Sequence, residues 1–164
     1  MTRRGALRSA GLGLGAALIL AGCGGGPSPT QLSVSLGASG QLNPNVDNQP
    51  SPTVVRLYDL KSLDGFNNAT FNELFYNDTA TLGGDMLGRK EIEMLPGKTV
   101  TFKRVAETGT HYVGVIAGFR VLQGNAWRSS MPVSVGDTNP ILVTLGPNTI
   151  TIGKKPSSGF LGIF

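Results

Sequence analysis

Cys23 is the only cysteine in 164 residues, and it closes an uncharged apolar run. Residues 10–22 contain only Gly, Ala, Leu and Ile, and Arg3, Arg4 and Arg8 precede them. The run is too short for a membrane-spanning helix, which needs about 20 residues, but it suits the core of an export signal. An exported chain could use disulfides, yet one cysteine cannot form one within the chain. Whatever residues 23–164 fold into must therefore be held together by its own apolar core. A single domain of that length is large enough to do so, burying roughly two-thirds of its unfolded surface.

The stretch Leu20-Ala21-Gly22-Cys23 resembles the bacterial lipobox. The alternative is an ordinary secretory signal with an incidental cysteine, but charge, length, small residues and the lone Cys coincide. The resemblance implies cleavage before Cys23 and acylation of its thiol and new amino terminus. Two membrane signals already give stable anchoring, so three acyl chains would hold the protein permanently. Gly24, where an inner-membrane lipoprotein carries Asp, implies outer-membrane lipid and the periplasmic face. Residues 23–30, with Gly24-Gly25-Gly26-Pro27-Ser28-Pro29, read as the lipidated Cys and a flexible tether.

The formal charge of +4 overstates the basicity of the mature chain. Of fourteen Lys and Arg, three lie in the signal, which leaves eleven against ten Asp and Glu. That balance gives no support to a nucleic-acid partner. With 24 Gly, 10 Pro and many short apolar runs, the chain reads as all-β with tight turns.

Leu32, Val34 and Leu36 alternate with Ser33 and Ser35, the pattern of a half-buried strand. Residues 37–52 are polar and broken by prolines, with Leu42 and Val46 as the only sizeable apolar side chains. A connection of that length without structure of its own is often functional. Residues 53–60 form a strand with no purely polar face, as expected of one covered on both sides. Thr70-Phe71-Asn72-Glu73 fits a capping box, and Phe71, Leu74 and Phe75 then lie on one helical face. Asp78 could cap a second short helix ending near Gly83-Gly84. A helical insertion of about residues 63–87 is thus expected between strands. Residues 111–122 form the most hydrophobic stretch and the best central strand, and Pro132 marks an edge or a break. Ile141, Val143 and Leu145, a turn, then Ile150 and Ile152 predict a closing hairpin. Seven or eight strands over residues 31–153 suit a two-sheet sandwich. The expected core includes Leu57, Phe71, Leu74, Phe102, Val113, Val115, Ala117, Phe119 and Trp127, and residues 154–164 form a tail.

Several stretches together resemble the type VI secretion outer-membrane lipoprotein family, known as TssJ, SciN or VasD. They are Leu42-Asn43-Pro44-Asn45; Pro50 through Leu60; Phe66, Ala69, Phe71 and Leu74 leading to Asp78 and Leu82; Asp85-Met86-Leu87 through Leu95-Pro96-Gly97; and Tyr112 through Arg120 followed by Trp127-Arg128. The resemblance implies a transthyretin-like β-sandwich with a helical addition. It implies docking on the periplasmic C-terminal region of the inner-membrane subunit TssM through the loop between the first two strands. That loop maps onto residues 37–52. Its expected contacts are Leu42, Asn43, Pro44, Asn45, Val46, Asp47, Asn48 and Gln49, with Leu42 and Val46 as apolar anchors.

No enzyme is expected. His111 is the lone histidine, and no cysteine nucleophile remains. Glu91 and Glu93 share a strand face without a third ligand nearby, so they read as a solvated face rather than a metal site. No cofactor and no small-molecule substrate are implied. Trp127 reads as core and Arg128 as its surface neighbour. The alternative to a secretion-complex tether is a lipid-anchored β-sandwich that binds glycan or peptidoglycan.

Overall fold

The computed structural model describes residues 26–124 and 126–156. The chain order is β1 (Gln31–Ala38), β2 (Thr53–Leu60), α1 (Asp64–Asn68), α2 (Phe71–Tyr76), α3 (Asp78–Leu82), a 3-10 turn (Gly83–Asp85), β3 (Met86–Met94), β4 (Thr99–Val105), β5 (Tyr112–Ala117), β6 (Arg128–Pro132), β7 (Thr138–Leu145) and β8 (Ile150–Lys154). One sheet runs β4-β1-β7-β8 and the other β3-β2-β5-β6. Every pairing is antiparallel except β1 with β7. The expected two-sheet sandwich is therefore present, with eight strands among the described residues.

The alternation in sequence explains which side chains fill it. Leu32, Val34 and Leu36 of β1 lie beside Ile141, Val143 and Leu145 of β7, all buried. Val55 and Leu57 of β2 lie beside Ala117 and Val115 of β5, also buried. Asp59 shares this inner face and is fully buried. Arg104 of β4 reaches it from the opposite sheet with two parallel bonds, Nη1 and Nη2 each 2.6 Å from a carboxylate oxygen. The Glu107 backbone N–H adds a third bond at 3.1 Å. A bidentate pair of this kind is directional as well as strong, and it clamps one edge of the sandwich.

The outer face of β2 carries Arg56, Tyr58 and Leu60, and the helical insertion covers it. Hence β2 lacks a polar face. The capping box forms as the sequence implied: the Thr70 hydroxyl accepts from the Glu73 N–H, and the Glu73 carboxylate accepts from the Thr70 N–H. Leu74 is buried, whereas Phe71 is only partly so. Phe71 stacks on Phe75 at 5.0 Å and meets the Trp127 edge at 5.2 Å. Phe102 is likewise half-buried, because β4 is an edge strand; the Lys90 ammonium lies 5.2 Å from its ring.

Further differences from the sequence reading have local causes. The insertion ends at Asp85, and Met86 already pairs with Leu60. Asp78 is the first residue of α3 rather than its cap, since Asn77 holds the cap position. The central strand stops at Ala117, so residues 118–124 are loop. Gly114 and Gly118, by contrast, mark the close backbone packing that glycines in a strand announce: a Cβ there would come within 2.9 Å of Phe66 or Phe75 ring carbons. Glu91 pairs with Arg56 at 2.7 Å instead of being merely solvated. Arg128 lies over Trp127 and donates to the Phe66 and Ala69 carbonyls, so it caps α1 rather than serving as a simple surface neighbour. Thr30, at the end of the expected tether, is bonded through its carbonyl to Ala106 N–H and through its hydroxyl to Gly136 N–H, while Pro27, Ser28 and Pro29 are exposed.

Asp78 fastens the insertion to the sheet. Its buried carboxylate accepts from Arg89 at 2.6 Å and from the Tyr58 hydroxyl at 3.0 Å. Burial opposes its ionisation, but the bonds from Arg89 and Tyr58 and the charges of Arg89 and Arg56 outweigh that and hold the carboxyl below its usual range. Burial pushes the Tyr58 phenol up, so it stays a donor. A depressed carboxyl pKa contributes stability above the unfolded value of about 3.9 and loses it as pH falls through the folded value. Urea unfolding of Asp78→Asn should therefore show its largest deficit near neutral pH, with the gap to the parent closing below about pH 4.

Candidate interaction surface at the loop end of the sandwich

The two ends of the sandwich differ in content. The chain enters β1 at Gln31, beside the loops at residues 106–111 and 133–137. The opposite end carries the connection from β1 to β2, the loop from β5 to β6, and the turns at residues 95–98 and 146–149. Eight residues of β1 separate the two ends by about 26 Å, at about 3.3 Å per residue. Cys23 lies outside the described residues.

The β1–β2 connection is not the structureless loop that its composition implied. Gly37 and Ala38 still belong to β1, and the remainder has a foundation and a tip. Leu42 is fully buried. Its N–H donates to the Ser39 carbonyl and its own carbonyl accepts from the Ser51 N–H, closing the base of the loop. The expectation that Leu42 offers an apolar contact is therefore corrected: it plugs the end of the core. Asn43 is corrected in the same way, because it too is buried and its polar atoms are used internally. Its N–H donates to Pro147 O at 2.7 Å, its Nδ2 to Pro52 O at 2.8 Å, and its Oδ1 accepts from the Arg120 N–H at 2.8 Å. Its carbonyl also accepts from the Ser51 hydroxyl. Asn43 takes a left-handed φ of 47°, which Asn tolerates better than most residues.

Pro44 and Asn45 are half-buried and lead into the tip. Asn45 Oδ1 accepts from the N–H groups of Asp47 at 3.0 Å and Gln49 at 2.8 Å, an Asx-type closure. Its backbone N–H bonds to Gln49 O and its carbonyl accepts from the Asn48 N–H, each at 2.9 Å. Asn48, at φ 59°, completes the turn. Val46 stands at its apex with 101% relative exposure, and Asp47, Asn48 and Gln49 surround it, all exposed.

The sequence reading missed the neighbouring β5–β6 loop, having placed residues 118–122 inside a strand. Arg120, Val121 and Leu122 are exposed there. Pro44, Asn45, Val46, Arg120 and Val121 line a groove of about 440 Å³ between the two loops. With Leu95 also exposed at the turn after β3, several apolar side chains stand among the polar ones at this end of the molecule. Gly118 was the signal that could have ended the strand and placed this loop. Among the described residues, no group of three His, Cys, Asp or Glu side chains could hold a metal ion.

A family model described as "Type VI secretion lipoprotein, VasD, EvfM, TssJ" matches residues 30–148. The chain belongs to this family. Among solved structures, the T6SS lipoprotein TssJ1 from Pseudomonas aeruginosa superposes with a TM-score of 0.75 at 32% identity, over 79% of this chain and 98% of that one. Serratia marcescens Lip, a membrane-bound component of the type VI secretion system, gives 0.71 at 26% identity, over 79% and 99%. A chain of a type VI membrane complex gives 0.67 at 26%, over 77% and 98%. No curated protein sequence matches. The sandwich and the secretion-lipoprotein family are thus the expected ones, and the family is that of a structural component.

Within this type VI secretion lipoprotein, Asn43 is the residue whose loss should loosen the loop end. Asn43→Ala leaves the Arg120 N–H and the Pro52 carbonyl without their partner, at a cost of about 1–3 kcal/mol. Chemical denaturation should show that loss. Hydrogen exchange should show faster opening of residues 43–52 and 118–122, with β1 and β7 unaffected.

Proposed function

We propose that Cys23 is acylated and anchors this chain in the outer membrane, on its periplasmic face. We also propose that residues 44–49 dock on the periplasmic C-terminal region of the inner-membrane subunit TssM. The observation that carries the reading is the placement of Val46. It is a fully exposed valine on a turn closed by Asn45, at the far end of β1 from where the chain enters the sandwich at Gln31. Seven Cα steps separate Cys23 from Thr30, which is bonded to the sandwich, a reach of roughly 25 Å. The membrane would hold one end close, leaving the other directed into the periplasm.

The turn lowers the cost of binding because its conformation is already fixed. The docking set is narrower than residues 42–49, since Leu42 and Asn43 serve the fold. Glycan binding finds less support: among the described aromatic side chains only Tyr76 is exposed, and the others are buried or packed against the core.

Cys23→Ser should remove the chain from the outer-membrane fraction as a soluble or unprocessed periplasmic protein, the soluble form serving for calorimetry against the TssM periplasmic region. In that background, Val46→Asp should weaken binding at least tenfold, as for a small central anchor, with an unchanged melting temperature. Undiminished binding would move the contact to a sheet face or the helical insertion.

A further inference from the structure

The arginines of this domain are nearly all spent on the fold. Arg56 pairs with Glu91 and Asp78, Arg89 with Asp78, and Arg104 with Asp59, while Arg128 caps α1. Arg120 differs. Its backbone N–H is held by Asn43 Oδ1 at 2.8 Å and its Nε donates to the Ser51 hydroxyl at 3.3 Å. Neither terminal nitrogen donates to any described residue, and no carboxylate among the described residues pairs with it. The guanidinium is oriented by the loop yet keeps the fork that would accept a carboxylate bidentately.

Its surroundings define what could approach. On one side is the groove with Val46 and Val121. On the other is a hollow of about 270 Å³ lined by Asn43, Pro52, Thr53, Val54, Phe75, Glu93, Gly118 and Arg120. Thr53 is 4% exposed, and its hydroxyl has no hydrogen-bond partner among the described residues. A buried polar group of that kind favours a polar visitor. Glu93 stands on the rim of the hollow and is not paired with Arg120. It would repel an acid entering there, which confines a carboxylate to the groove side.

We propose that Arg120 is a specificity-determining residue of the docking surface, receiving an Asp or Glu side chain from a partner segment whose adjacent apolar residue seats between Val46 and Val121. This inference rests on the docking reading above and adds the chemistry of the partner: an acidic residue flanked by an apolar one. The Nε bond to Ser51 biases the orientation of the fork, and the charge speeds encounter with an acidic partner.

The test is calorimetry of the soluble Cys23→Ser chain against the TssM periplasmic region at several salt concentrations. Arg120→Gln should reduce affinity at least tenfold and flatten its salt dependence, whereas Arg120→Lys should keep the salt dependence and recover part of the affinity. Melting temperatures should move little, because the backbone N–H that holds Asn43 is present in every variant and the Nε bond to Ser51 is long and exposed. Normal binding by Arg120→Gln alongside lost binding by Val46→Asp would overturn this inference and leave the docking reading standing. A loss of affinity with an unchanged salt slope would also overturn it, by showing that Arg120 contributes packing rather than charge. Normal binding by both variants would remove the docking reading and this inference with it.

Discussion

The buried side chain of Asn43 joins three segments that would otherwise move independently. Its amide and backbone reach the β7–β8 turn at Pro147, the start of β2 at Pro52 and the β5–β6 loop at Arg120. Each bond satisfies a backbone group that would be costly to leave unpaired in a partly buried place. Together they hold the two loops side by side, so the groove between them exists before any partner arrives. Leu42 closes the core directly beneath. The surface that reads as functional is thus built on two residues whose own work is structural.

Charge pairing holds the sandwich to that frame. Asp59 and Arg104 link β2 and β4 across the two sheets, and Asp78, Tyr58 and Arg89 fix the insertion to the outer face of β2. Buried pairs of this sort add little net stability over apolar replacements, but removing one partner costs about 3–5 kcal/mol. Their effect here is to fix register and orientation without any disulfide. That suits a chain whose only cysteine stands at the proposed lipid site.

Much of this was legible in the sequence where the determinants are local. The capping box at Thr70 and Glu73, the two-faced apolar pattern of β2 and the β7–β8 hairpin each follow from neighbours within a few residues. The parallel pairing of β1 with β7 joins segments about a hundred residues apart, and no local pattern announces it. Leu42 was misread because one apolar residue in a polar loop looks like a surface anchor, while in the fold it is a plug. The site was half legible. Residues 37–52 stood out by composition, and the family resemblance gave them a role, with Leu42 and Asn43 wrongly counted among the contacts. Arg120 and Val121 were hidden because an apolar run was read through Gly118 as one continuous strand.

The central claim is that one end of this domain faces lipid while the other, built on Asn43, faces the partner. Hydrogen exchange of the mature chain with and without the periplasmic region of TssM tests it directly. The account predicts slowed exchange at residues 44–49 and 118–122 in the complex, with no change at residues 106–111 or 133–137. Protection confined to the helical insertion or to the β3 edge, with the loop end unchanged, would contradict it.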